Sequence, residues 1–280
     1  MDRAEIAARY LQSLQLERRN PDLSFLGDIT RRHVATFAFS SVGPRLGDDL
    51  PLDVESLYRR IVVQARGGYC FEQNGLLYEV LEELGFGVKL YLARVIYNQD
   101  TDPGLTHRIT MVEFDGDPYV ADVGFGPLGP RIPVGMSKKE SRDADRVFRV
   151  AERRTGEFHM QTLKDGEFFS LYKFELARYG QADCEVGHFY SHKHPDATFV
   201  NNLVVSRILE REIRSLRNRE YWVLTENGNQ VREIREAEQL REILSREFGV
   251  QVTGAESRYL FENSPDIEVP LGTGPRAPAR

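Results

Sequence analysis

The spacing of apolar residues changes at residue 87, and that change restricts the chain to folds that join a helical part to a sheet. Before it, "AEIAARYLQSL" and "GLLYEVLEELGF" carry apolar side chains at helical intervals, and Asp53 of "DVESLYRRIVVQA" is a candidate N-cap. After it the period is two, in "GVKLYLARVIYN", "HRITMVEFDG", "PYVADVGFG", "RVFRVAE", "EFHMQTLKDG" and "EFFSLYKFEL", with turn signals in "DGDP" and "KDGE". Such a run predicts an antiparallel sheet or a small barrel. The last third mixes the types: "ATFVNNLVVSRIL" and "REYWVLTENGNQVREI" read as strands around an "ENGN" turn, and "EAEQLREILSREF" as a helix stopped by Gly249. The expected order is α, then β, then α+β, in units of residues 1–86, 87–195 and 196–280. There is no internal repeat, and the final "PLGTGPRAPAR" reads as a mobile tail.

With 280 residues, 41% of them hydrophobic, the chain can bury a substantial core. Its 37 Lys and Arg against 43 Asp and Glu leave a net charge of −6, and no basic run is broad enough to track phosphates, which argues against nucleic acid as a partner. No stretch approaches the roughly 18 consecutive apolar residues of a membrane span. The N-terminal "MDRAEIAARYLQSLQLERR" is charged throughout, unlike a secretory signal, so the expected location is cytoplasmic with no membrane partner. Two cysteines, Cys70 and Cys184, are too few for a disulfide framework, so each is a buried hydrophobe, a metal ligand or a reactive thiol.

Cys70 closes the stretch "RGGYC", directly ahead of a helical pattern. The first turn of a helix offers unpaired backbone N–H groups and the positive end of the macrodipole, which favour a thiolate. Gly67 and Gly68 let the backbone take conformations that other residues avoid, and let a substrate approach the sulfur. Arg66 either adds positive charge nearby or pins the loop to a carboxylate. Taken alone, the stretch is equally readable as a turn with a core cysteine. A nucleophilic thiol also needs a base, and the base needs a group that holds its tautomer. Of the six histidines, His107 begins a strand-like stretch and Asp122 ends the next, so a hairpin can set them side by side. Cys70, His107 and Asp122 then stand as nucleophile, base and orienter.

"RGGYCFEQN", "THRITMV" and "YVADVGFG", with 37 residues from Cys70 to His107 and 15 from His107 to Asp122, resemble the arylamine N-acetyltransferase family. "FVNNLVVSR" at 199–207 and the α, β, α+β order extend the resemblance over nearly the whole chain. It implies an α+β fold of three domains: a helical bundle and a β-barrel meeting at a papain-like Cys-His-Asp triad, and an α/β lid. It assigns Cys70 as nucleophile, His107 as general base and Asp122 as its orienter. The implied reaction is ping-pong transfer of acetyl from acetyl-CoA, through a Cys70 thioester, to arylamines, arylhydrazines or N-hydroxyarylamines, a chemistry of xenobiotic metabolism.

The family usually carries a segment like "IPFENL" after a histidine; the matching stretch after His33 reads "FAFSSV" and keeps only Phe39. The resemblance makes Phe39, Tyr69, Val95, Phe125 and Phe199 candidates for the acceptor pocket, each with a core reading beside it. "GFGPLG" places Gly124 and Gly126 where coenzyme A could approach the backbone, although no Walker lysine accompanies them. "CEVGHFYSHKH", with Cys184, His188, His192 and His194, has ligand types for zinc but no standard spacing, so no metal is expected. An amide synthase or a cysteine hydrolase would use the same triad, and an inert binding protein would need none of it. Monomer and dimer both remain open.

Overall fold

The computed structural model describes residues 1–137 and 139–265; the expected mobile tail lies outside the described residues. Asp2, Asp22 and Asp53 accept the backbone N–H of Glu5, Phe25 and Ser56 at 2.7, 2.7 and 2.9 Å. They thereby open α1 (Arg3–Ser13), α2 (Leu23–Thr36) and, after the short β1 (Phe39–Ser40) and α3 (Val42–Leu46), α4 (Val54–Tyr58). Past α4 the backbone widens into a π turn at Arg59–Val63 before the loop that leads to α5 (Cys70–Glu83). Ten residues of α5, among them Cys70, Phe71, Leu76 and Leu81, are buried. A helix buried on most sides has to lie at the centre of its bundle, and α1 and α4 pack on it.

The eight strands that follow are β2 (Val88–Val95), β3 (His107–Phe114), β4 (Asp117–Ala121), β5 (Val134–Gly135), β6 (Ser141–Asp143), β7 (Arg146–Arg154), β8 (Glu157–Lys164) and β9 (Glu167–Glu175). They form one antiparallel sheet in the order β5-β4-β3-β2-β9-β8-β7-β6, which curls until β5 meets β7 and so nearly closes a barrel. Both expected turns have left-handed central pairs, Asp115 and Gly116 (φ 51° and 83°) and Asp165 and Gly166 (φ 52° and 83°), the twist that two-residue hairpins favour. Ile109, Val120, Phe148, Met160 and Leu171 fill the barrel. α5 rests against β3, so the nucleophile candidate and the strand of the histidine share one packing layer.

Two helices follow, α6 (Gln181–Lys193) and α7 (Thr198–Asn201), then β10 (Val204–Ile208), β11 (Glu212–Arg217), β12 (Glu220–Thr225) and β13 (Gly228–Glu233), and finally α8 (Ala237–Phe248) and α9 (Gly254–Glu262). β1 from the helical part joins the second sheet, in the order β1-β10-β11-β12-β13, with Phe39 opposite Ser206. "ATFVNNLVVSRIL" is not one strand: its first half forms α7, because Asn201 and Asn202 donate to the carbonyls of Ala197 and Thr198 at 3.0 and 3.2 Å and hold a helical turn. No described helix is long and apolar enough to cross a membrane.

Candidate active site

Cys70 is the first residue of α5 and is buried, with 3% of its surface exposed. Its sulfur lies 3.4 Å from the carbonyl oxygen of Thr106. His107 opens β3 and Asp122 follows the last residue of β4; the β3–β4 register, with Thr110 opposite Ala121, turns the two toward each other. His107 Nε2 is 2.8 Å from Asp122 Oδ2. That leaves Nδ1 for the Cys70 sulfur, with which the imidazole interacts. The hairpin expected from sequence thus brings all three side chains together.

The carboxylate is held from several sides. Asp122 Oδ1 accepts from Asn74 Nδ2 at 2.8 Å and from the backbone N–H of Gly124 at 2.9 Å. Asn74 Nδ2 also donates to the carbonyl of Arg108 at 2.7 Å, and its Oδ1 accepts the N–H of Val123 at 3.0 Å. One side chain on α5 therefore ties the segments on either side of the hairpin to the helix that carries Cys70. Asn74 stands four residues beyond Cys70, on the same face of α5. That spacing was available in "CFEQN", and Asn74 is the candidate site residue that the sequence reading missed.

Burial alone would lower the His107 pKa, but the Asp122 charge and hydrogen bond, with the neighbouring Cys70 sulfur, outweigh it and raise the value to about 10. For Asp122 burial works upward; the attraction of His107 and the bonds from Asn74 and Gly124 prevail and hold the carboxyl below its usual range. The geometry therefore favours an imidazolium beside the Asp122 carboxylate, with the Cys70 sulfur on its other side. Phe125 meets the His107 ring edge-on at 5.3 Å and Tyr172 covers it at 4.8 Å between centroids, which excludes water from the pair. Burial, together with the charge and hydrogen bonding of the nearby Asp122 carboxylate, keeps the Tyr172 hydroxyl protonated.

The glycines of the two loops solve a packing problem. Gly67 has φ +65°, and a Cβ there would come within 2.6 Å of the Ala38 carbonyl oxygen. A Cβ on Gly124 would stand 2.7 Å from Cys70 Cα and from Asn74 Nδ2, so only glycine lets the loop after Asp122 lie on the first turn of α5.

Phe39, Tyr69 and Phe199 gather with Cys70 in one apolar cluster: Phe199 is 5.5 Å from Phe39 and 5.4 Å from Tyr69. Phe125 and Val95 belong to the barrel cluster on the His107 side. Tyr69 is fully buried, and its hydroxyl donates to Nδ1 of His188, whose Nε2 donates to the Leu50 carbonyl at 2.7 Å. Burial lowers the His188 pKa to about 4, which keeps that ring neutral for both bonds. His192 Nδ1 donates to the His188 carbonyl at 2.6 Å, His194 stacks on Tyr190, and burial raises the Cys184 thiol to about 11. The residues of "CEVGHFYSHKH" thus face different partners, and among the described residues no three metal-ligating side chains cluster.

The N-acetyltransferase family pattern matches residues 22–257. The chain belongs to the arylamine N-acetyltransferase family. It is 31% identical over 267 residues to the arylamine N-acetyltransferase of Mycobacterium tuberculosis, covering 92% of this chain and 94% of that protein. Its fold matches the crystal structure of a cysteine-to-glutamine variant of the Mycobacterium smegmatis enzyme with a TM-score of 0.88 at 29% identity, over 95% of this chain and all (100%) of that one. The Mycobacterium marinum enzyme in complex with CoA matches with a TM-score of 0.84 at 26% identity, over 91% and 98% of the two chains. As a family member the chain is an acyltransferase, and its mixed α/β architecture with a nearly closed barrel is that of the family.

Proposed function

We propose that this arylamine N-acetyltransferase moves an acetyl group from acetyl-CoA to Cys70, and from Cys70 to the nitrogen of an arylamine or arylhydrazine or the oxygen of an N-hydroxyarylamine. The observation that carries the proposal is the buried line from Cys70 through His107 to Asp122, anchored by Asn74. In the first half-reaction the Cys70 thiolate adds to the thioester carbonyl, the C–S bond to coenzyme A breaks, and His107 gives its proton to the leaving thiolate. In the second, the acceptor adds to the acyl-Cys70 carbonyl, its proton passes to His107, and the Cys70 thiolate leaves. Asp122 keeps Nδ1 of His107 facing the sulfur throughout. The backbone N–H groups of Cys70 and Phe71, which precede the first backbone bond of α5 from Glu72 to the Tyr69 carbonyl, are the proposed donors to a negative oxygen built on Cys70.

Phe39 and Phe199 are the proposed walls of the acceptor pocket, with Phe125 and Val95 on the His107 side and Tyr69 as a support fixed from behind. Gly126, with φ +88° beside Phe39, and Gly124 are the proposed points where the pantetheine arm passes the backbone. Burial of Cys70 and His107 favours transfer to an aromatic acceptor over hydrolysis. Peptide mapping by mass spectrometry after mixing with acetyl-CoA alone tests the reading. One acetyl group on the peptide of Cys70 supports it, and its absence from the folded protein rejects it.

A further inference from the structure

Arg66 stands at the head of the loop that leads into Cys70, and its largely buried charge needs a partner. It finds Glu256, 190 residues away on α9. Arg66 Nη1 donates to Glu256 Oε2 at 3.0 Å and Nη2 to Oε1 at 2.9 Å, a fork on a fork. Nη1 also donates to the Gln251 carbonyl at 2.9 Å, and the Gln251 N–H returns to the Ala65 carbonyl at 2.8 Å. Glu256 Oε2 accepts the Thr253 N–H at 2.7 Å as well, so the same carboxylate closes the capping box that starts α9. On its other side the loop is fixed to β1, where the Ser40 N–H donates to the Gly68 carbonyl at 2.9 Å. A second chain of charges approaches Cys70 from behind. Arg66 lies 3.7 Å from Asp48, Asp48 lies 3.3 Å from Arg60, and Arg60 lies 2.8 Å from Glu72. Glu72 Oε2 then accepts the Tyr69 N–H at 3.2 Å.

We infer that Glu256 is a positioning residue: through Arg66 it sets the loop that presents Cys70, so the reactivity of the nucleophile depends on how α9 is seated. The inference rests on the reading of Cys70 as the nucleophile. With only 15% and 29% of their side chains exposed, the two groups are largely buried, so the effect of losing the pair on the loop is read in the folded protein, well below its unfolding midpoint.

The test is the rate at which iodoacetamide alkylates Cys70, followed by mass spectrometry beside the rate of acetyl transfer. Glu256→Gln retains an acceptor for the Thr253 N–H but loses the charge, and should slow both rates by about tenfold. Its KM for the amine should stay at the wild-type value. Thr253→Ala loosens the same helix end without touching Arg66 and should alkylate at the wild-type rate. If Glu256→Gln does not fold, Arg66→Lys, which keeps the charge but not the fork, should show the same slowing. Alkylation of the folded Glu256→Gln or Arg66→Lys within about twofold of wild type overturns the inference, as does equal slowing by Thr253→Ala. Failure of wild-type Cys70 to accept acetyl rejects the proposed function instead, because alkylation does not depend on acetyl-CoA.

Discussion

His107 Nε2 stands 2.8 Å from Asp122 Oδ2, and the other oxygen of Asp122 is occupied by Asn74 and the Gly124 N–H. Asp122 is therefore fixed before it can fix the imidazole. Asp122→Asn would offer an amide N–H or a weaker acceptor to Nε2 and release the tautomer that faces the sulfur. Steady-state assays should show acetyl transfer reduced by about 10³–10⁴-fold in a folded protein. Full activity in that variant contradicts the triad.

The same pair has a pH signature. The pKa of His107 is raised from its ordinary 6.5 to about 10, so the stabilisation from charged imidazole beside Asp122 is complete below 6.5 and is lost as pH rises through the folded value. Urea unfolding of wild type and Asp122→Asn across this window should give a stability difference that shrinks as pH increases. A difference that is constant from pH 6.5 to 10 is inconsistent with a charged His107.

How much of this was legible beforehand depends on how local the causes are. The hairpins of β3–β4 and β8–β9 were readable because Asp115-Gly116 and Asp165-Gly166 encode their own turns. The juxtaposition of His107 and Asp122 was readable because residue type and hairpin register placed them side by side. Helix α6 was not assigned. Its buried residues are Cys184, Gly187, His188, Ser191 and His192, while Val186, Phe189 and Tyr190 face solvent, so its pattern runs opposite to the usual amphipathic one. The strand expected over "ATFVNNLVVSRIL" failed in its first half because the Asn201 and Asn202 side chains bind backbone carbonyls. Arg66 had two readings, and the choice between them lay 190 residues away at Glu256, beyond the reach of any local signal.

Asn74 should be nearly as sensitive as the triad. Asn74→Ala leaves Asp122 Oδ1 short of a donor and the Val123 N–H and Arg108 carbonyl without the bonds they make to Asn74. Denaturant unfolding should show a loss of about 1–3 kcal/mol. Activity should fall by more than that loss explains when it is measured well below the unfolding midpoint; wild-type kinetics there would remove Asn74 from the site.

Gly124→Ala tests the close approach of the loop to α5. A Cβ 2.7 Å from Cys70 Cα has no room, so either the loop or the helix start must move. The cost should be about 1–3 kcal/mol of stability. Cys70 should also lose acetyl acceptance, measured as acetyl incorporated per folded protein. Wild-type acceptance would show that the 122–126 turn can shift without disturbing the nucleophile.

The most direct measurement is the release of free CoA thiol when the protein is mixed with acetyl-CoA in the absence of any amine. A thioester on Cys70 predicts a rapid burst of one equivalent per protein, retention of the acetyl group until an arylamine is added, and no burst from Cys70→Ala. A burst that survives in Cys70→Ala, or thiol release that occurs only when the amine is present, would contradict a covalent Cys70 intermediate.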